Sequence, residues 1–362
     1  MDQHRPALDG TADGSVVTSS QASRWSAPRR LLGGRFLLGI AVAFIPFAFL
    51  CIFFLYPVGS IVWRGLAPDG QLDLAGLGEV LSDVEIRSVL WFALWQAAVS
   101  TLLTLVVALP SAFVMSHYRF PGRGLMRVLI TIPLILPAVV VGVAFLALAG
   151  PGGSLGINLK GSIWIILIAH MFYNFAVVVR TVGGLWGHLD PRMEDAARML
   201  GASRATAFRK VTLPLLRPAI AAAASIVFLF SFTSFGVVLI LGGPRRVTLE
   251  VEIFRQTAQL LNLQVASALA IIQLVGVFTI LSLYSRYQDR RSVSINLRPS
   301  NEVERKPNGV VGWAMVVGNV MIVTVLLLVP VGTLVKRSFT TPTGLGLDYY
   351  RQLSQTGGNS TL

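Results

Sequence analysis

Seven stretches of this 362-residue chain are apolar and long enough to cross a lipid bilayer, a property that restricts its fold more than any other. They lie near residues 36–63, 88–116, 128–149, 162–184, 218–242, 264–285 and 310–335. A helix needs about 20 predominantly apolar residues to span the hydrocarbon core. No water is available there to bond a free amide or carbonyl, so such a segment must satisfy its backbone internally, as a helix. The expected fold is all-α, a polytopic membrane helix bundle with about seven transmembrane helices. Composition agrees. Apolar residues make up 54% of the chain, charged residues 13%, and mean hydropathy is +0.69, which leaves too little polar surface to cover a soluble globule. Pro46, Pro57, Pro110, Pro133 and Pro137 fall inside or near the ends of these runs, where neighbouring helices can satisfy freed carbonyls.

Lys and Arg in the connecting segments orient the bundle. Placing the first 35 residues inside puts 20 basic residues on the inner side and 9 on the outer. The N-terminus and the polar segment 185–217 then face the cytoplasm. The net charge of +13 flanks spans instead of forming a basic face, so anionic lipid headgroups explain it and nucleic acid is not expected as a partner. Residues 1–35 read as a disordered cytoplasmic tail. They are not a secretory signal, because the apolar run that follows is too long and has no cleavage site. Cys51 is the only cysteine, which excludes a disulfide within the chain and a Cys-based metal site.

The segment 185–217 has its own grammar. Asp190 followed by Pro191 suits a helix start, since the carboxylate can accept free amide hydrogens and proline fits the first helical position. Met193, Ala196, Ala197 and Leu200 fall at helical spacing on one face, with Arg192, Glu194, Asp195 and Arg198 on the others. Gly201 is a natural stop. A second short helix is expected from Ser203 towards Lys210, with Pro214 disfavouring its continuation through Leu213. Such a helix can dock into a groove on a partner, or it can cover lipid headgroups or a neighbouring loop.

The string Asp195-Ala196-Ala197, three residues, Gly201, nine residues, Val211-Thr212-Leu213-Pro214 resembles the cytoplasmic coupling loop of permeases in ATP-driven (ABC) importers. The position that is usually Glu is Asp195 here, with Glu194 beside it. Phe120-Pro121-Gly122-Arg123, Ile135-Leu136-Pro137, Ala169 to Asn174, Gly242-Gly243-Pro244 and Thr248 to Ile253 resemble the thiamine and ferric-iron branch of these binding-protein-dependent inner-membrane permeases. The resemblance implies a type I ABC importer permease-like fold in the bacterial cytoplasmic (inner) membrane. It implies contact with ATP-binding cassette ATPase subunits through Glu194, Asp195, Ala196, Ala197, Leu200, Gly201, Val211, Leu213 and Pro214. Cargo, ferric iron or thiamine, would come from an extracytoplasmic substrate-binding protein. The chain has no Gly-x-x-x-x-Gly-Lys-Ser/Thr phosphate loop, so ATP hydrolysis is expected on a separate subunit and the chain is not expected to be an enzyme or to need a cofactor.

Pro57 to Leu66 recurs as Pro330 to Phe339 at an offset of 273 residues, and Leu74 and Leu347 continue the register. The repeat divides the chain into a six-helix bundle at 36–290, a cytoplasmic linker at 291–309 and the start of a second, incomplete repeat at 310–362. By the same offset a second coupling loop would fall at about residue 468. The expectation is a truncated form of a fused two-bundle permease, inactive or poorly active by itself.

Gln96 with Ser100, and His170 with Asn174, each stand four residues apart in the second and fourth spans, and Gln273 lies in the sixth. They either line a translocation path or bond between helices as packing contacts. His170 is read as a bonded core histidine in preference to an iron ligand, and no metal site is expected. Phe228, Phe230, Phe232 and Phe235 either stack on a thiamine ring or face lipid and core. Gly183 and Gly187 give the small-residue spacing of a close helix contact. A secondary carrier or channel is the alternative, and it would be favoured by carboxylates buried in mid-span; none of the 17 Asp and Glu lies there. A membrane enzyme would need convergent catalytic groups, and the four His residues are scattered.

Overall fold

The computed structural model describes residues 42–67, 70–71, 74–289, 304–341 and 344–353. The expected tail at 1–35 and the linker up to residue 303 lie outside the described residues. The chain divides into two units, Met1–Gly59 and Ser60–Leu362. The span α1 (Val42–Ser60), which lies in the first unit up to Gly59, has none of its apolar window buried.

The second unit is a helical bundle. Its elements are α2 (Leu74–Ser82), α3 (Val84–His117), α4 (Arg123–Ile135), α5 (Ala138–Ala149), α6 (Ile163–Trp186), α7 (Pro191–Met199), α8 (Arg204–Phe232), α9 (Gly236–Leu241), α10 (Leu249–Phe254), α11 (Leu263–Asp289), α12 (Gly309–Ser338) and α13 (Asp348–Leu353). A two-residue hairpin, β1 (Thr340–Thr341) on β2 (Gly344–Leu345), follows α12. Among the described residues six helices are long and apolar enough to span a membrane, and the count is seven if the bent pair α4 and α5 is taken as one broken span.

The third expected span, 128–149, is bent by 106° between α4 and α5. Pro137 is the cause: it pushes Leu136 into an extended conformation, φ −69° and ψ 136°, which no helix continues. The fifth expected span, 218–242, also breaks, since α8 stops at Phe232 and α9 begins at Gly236. A Cβ on Gly236 would sit 2.7 Å from the Val139 amide nitrogen, and one on Gly142 would sit 2.9 Å from Ile240 Cβ. Glycines therefore let the two half-helices α5 and α9 lie in direct backbone contact.

The centre of the bundle is α3 against α6, with α8 across both. Ala93, Ala97, Ala108 and Ala112 of α3 are fully buried, and small residues let the partner backbone come close. At the end of this interface a Cβ on Gly183 would lie 3.3 Å from the Ala112 carbonyl oxygen, and one on Gly187 3.4 Å from Ser116 Cβ. Phe172, Phe175 and Val178 of α6 and Leu216, Ala223 and Val227 of α8 complete the core. Val316, Val323 and Leu327 of α12 belong to the same core, so the helix carrying Pro330 to Ser338 is packed into this bundle.

Candidate functional site

Inter-loop contacts sort the loops into two ends. At one end Arg305 N–H donates to His117 O at 2.8 Å, and the His117 ring meets Trp186 edge-on with ring centroids 5.7 Å apart. At the other, Gly161 N–H donates to Leu241 O at 2.8 Å, the Arg246 guanidinium donates to Gly161 O, and Arg337 donates to Gly152 O at 2.7 Å. The loops grouped by charge as inner and outer are thus grouped by contact as well.

Helix α7 protrudes at the first end. The Asp190 carboxylate accepts from Arg192 N–H at 3.0 Å, closing its N-terminus. At its C-terminus Ala202 N–H bonds Ala197 O at 3.1 Å and Gly201 N–H bonds Arg198 O at 3.0 Å, a paired closure that needs the left-handed Gly201, φ +90°. No residue of α7 is buried. Met199 and Leu200 at its tip are 89% and 90% exposed. Asp195 and Ala196 are exposed, Ala197 half-buried.

Glu194 and Asp195 have different jobs. Glu194 Oε2 accepts from Thr212 Oγ1 at 2.9 Å, tying α7 to the base of α8, whereas Asp195 makes an exposed 3.3 Å pair with Arg198. Sequence reasoning gives Thr212 no role, and a hydroxyl-bearing residue within the Val211 to Pro214 string is its only sequence trace; the structure buries it.

The expectation that Pro214 ends the second short helix is corrected. Ser203 Oγ accepts from Thr206 N–H at 3.2 Å and starts α8, which then runs without a break from Arg204 through Val211, Leu213 and Pro214 to Phe232. Proline has no N–H for the carbonyl four residues back. The five residues Phe208–Thr212 form a wider turn, in which Leu213 N–H bonds Phe208 O, and this makes room for the ring.

Deep in the bundle, Gln96, Ser100, His170 and Asn174 meet in one polar layer, each no more than 2% exposed. Ser100 Oγ lies 3.0 Å from His170 Nδ1, and Ser234 Oγ lies 2.8 Å from His170 Nε2. Gln96 Nε2 donates to Ser231 O at 2.7 Å, Asn174 Nδ2 to Ser231 Oγ at 3.4 Å, and Thr248 Oγ1 to Ser234 O at 2.7 Å. The layer therefore satisfies carbonyls that the break between α8 and α9 sets free, as a helix end within a membrane requires. Ser231 and Ser234 were not singled out from sequence, although serines three apart in a phenylalanine-rich run were the available signal. Both ring nitrogens of His170 are engaged by hydroxyls, and among the described residues no group of three or more His, Cys, Asp or Glu is placed to hold a metal ion. Gln96 Oε1 and Asn174 Oδ1 are buried acceptors without a hydrogen bond among the described residues.

Gln273 joins none of these bonds. It donates to Glu250 Oε1 at 2.6 Å. The phenylalanines of the fifth span do not form one platform: Phe228 stacks on Phe232, Phe230 meets Tyr173, and Phe235 meets Phe254.

Residues 100–293, which carry Ser100, His170 and Asn174 of the polar layer and the exposed α7, match the family model described as the binding-protein-dependent transport system inner membrane component. The chain belongs to that family. The permease is 30% identical over 264 residues to the sulfate transport system permease protein CysT of Salmonella typhimurium, a match covering 71% of this chain and 92% of the relative. It is 34% identical over 197 residues to the thiamine transport system permease protein ThiP of Brucella abortus, covering 50% of this chain and 36% of that longer relative. Among solved structures it is similar to a bacterial ABC transporter involved in the import of the acidic polysaccharide alginate, with a TM-score of 0.61 at 15% identity, covering 72% of this chain and 98% of the other. The fold is that of an ABC importer permease, a transport subunit and not an enzyme, in an inner membrane.

Proposed function

We propose that the permease is driven by separate ATP-binding cassette ATPase subunits that dock on α7, and that a binding protein outside the membrane delivers its cargo. The observation that carries this reading is the tip of α7, where two large apolar side chains stand almost fully exposed on a helix closed at both ends. Burying such side chains is worth about 1.5–3 kcal/mol each, and a partner groove provides the place. Ala196 and Ala197 give the contact face, while Glu194, through Thr212, fixes its angle to α8; Val211, Leu213 and Pro214 form the hinge of that angle. The N-terminus is then cytoplasmic, in keeping with the charge asymmetry.

The layer of Gln96, Ser100, His170 and Asn174 is proposed as the closed section of the translocation path. Its two unbonded acceptors give it spare capacity for hydrated cargo when the helices part. The longer match is to a sulfate permease, so sulfate is the first cargo to test, with thiamine and ferric iron as the other two.

The reading is tested on a Cys51→Ser background by introducing Leu200→Cys and following its reaction with a charged maleimide. Docked ATPase is expected to suppress labelling at 200. Labelling that is equally fast with and without the ATPase subunits would overturn the proposed docking surface.

A further inference from the structure

The segment just before α12 is bonded into the first inner loop. Arg305 N–H donates to His117 O at 2.8 Å, Arg119 N–H donates to Arg305 O at 2.9 Å, and the pairing is a parallel bridge between Tyr118 and Arg305. Glu304 is gripped by two arginines: Arg119 Nε donates to Oε2 at 2.6 Å and an Arg123 guanidinium nitrogen to Oε1 at 2.8 Å. The Arg305 guanidinium lies 5.8 Å from the centroid of the Tyr118 ring.

The same loop is in ring contact with the coupling segment. Trp186 stacks on Phe208, the first residue of the wide turn in α8, at an interplanar angle of 28°. Trp186 also meets Phe113 at 5.2 Å and His117 at 5.7 Å. An unbroken chain of packed rings and backbone bonds thus runs from the base of α8, through Trp186 and His117, to Arg305 and the start of α12.

We propose that residues 304–306 are a strap that transmits displacement of the coupling segment to α12, with Trp186 and Glu304 as its positioning residues. This rests on the reading of α7 and α8 as the ATPase-driven segment. The aromatic part of the chain resists compression but allows sliding, whereas the backbone pair and the two-arginine grip on Glu304 fix register. Movement of Phe208 is therefore delivered to the linker as translation along the 117–119 segment. A linker bonded at one end only, or through exposed charges only, would dissipate it. The side chains of Glu304 and Arg123 are 11% and 15% exposed, so that ion pair is largely shielded from water, whereas the Arg119 side chain is half exposed.

The test uses the full permease assembled with its ATPase subunits in lipid nanodiscs, on the Cys51→Ser background. An environment-sensitive fluorophore is placed either at Leu200→Cys or at Val310→Cys, the latter at an 87% exposed position at the start of α12. ATP is titrated and the half-response concentration read at each label. Glu304→Gln and Trp186→Leu are each expected to raise the half-response concentration at 310 by about two- to thirty-fold, the range for residues lying along a coupling route. The response at 200 is expected to stay as in the parent. Combining the two variants is expected to shift 310 no further than the larger single effect, because both interrupt one route. Shifts that multiply in the double variant, a response at 310 unaffected by either variant, or equal shifts at 200 and 310 would each overturn the strap. No ATP response at 200 in the parent would overturn the coupling reading itself, and the role of the strap with it.

Discussion

Glu194 and Asp195 stand next to each other on α7, and their surroundings separate them. Glu194 accepts a hydrogen bond from a buried threonine hydroxyl, while Asp195 shares an exposed ion pair with Arg198 one turn away. Replacing Glu194 by Ala strands the Thr212 hydroxyl in a buried position, which costs about 1–3 kcal/mol. Replacing Asp195 by Ala removes only a surface pair worth about 0–1 kcal/mol. Thermal unfolding of the two variants in detergent is expected to show a clear loss for Glu194→Ala and almost none for Asp195→Ala. Equal losses would mean that the short acidic side chain at 195 carries the structural role after all. The motif string alone does not divide the labour between neighbouring carboxylates, because the division depends on which of them faces residue 212, eighteen positions away.

At the scale of elements, contact between backbones decides what a glycine does. Gly236 at the start of α9 has the Val139 amide nitrogen 2.7 Å from where a Cβ would lie, whereas Gly184 on α6 has nothing within 4 Å. Gly236→Ala must push apart α5 and α9 and is expected to destabilise by about 1–3 kcal/mol. Gly184→Ala, in open space within a helix, is expected to be neutral or to stabilise by about 0.5–1 kcal/mol. Comparison of their unfolding midpoints in detergent checks both. The strap before α12 gives an element-level pH dependence. The hydrogen bond from Arg123 to Glu304, followed by that from Arg119 and the charge of both, outweighs burial and holds the Glu304 carboxyl below the ordinary glutamate value of about 4.3. A carboxylate with a lowered folded pKa contributes its stabilisation above the unfolded pKa and loses it as pH falls through the lowered value. The spin-label distance between Leu125→Cys and Lys306→Cys is therefore expected to stay constant from pH 7 to about 4.3 and to lengthen only below it. Lengthening that begins near pH 6 would show that another group holds the strap.

For the molecule as a whole, the sorting of loops by charge and by contact makes one prediction. A membrane-impermeant thiol reagent added from outside is expected to reach Leu155→Cys, 55% exposed in the loop between α5 and α6, and to miss Leu200→Cys in sealed vesicles of known orientation. The reverse pattern would invert the topology. From the sequence alone followed the apolar helices, the end-to-end charge asymmetry, both caps of α7, and the polar character of Gln96, Ser100, His170 and Asn174 at helical spacing, though their bonds run from Ser100 to His170 and from Gln96 and Asn174 to Ser231. Each of these depends on local hydropathy, on helical spacing or on the hydrogen-bonding habits of single residues. The tertiary structure decided the rest: that the third and fifth spans break, that α8 runs through Pro214 by way of a wide turn, that Gln273 belongs with Glu250, and that α12 is packed into the same core as the helices that precede it. The break at Pro137 and the wide turn before Pro214 are local responses to proline, between which and a simple kink the surrounding packing chooses; the other outcomes depend on which carbonyls find donors many residues away and on which backbones a glycine lets touch, and such long-range pairings are not encoded in any one segment of the chain.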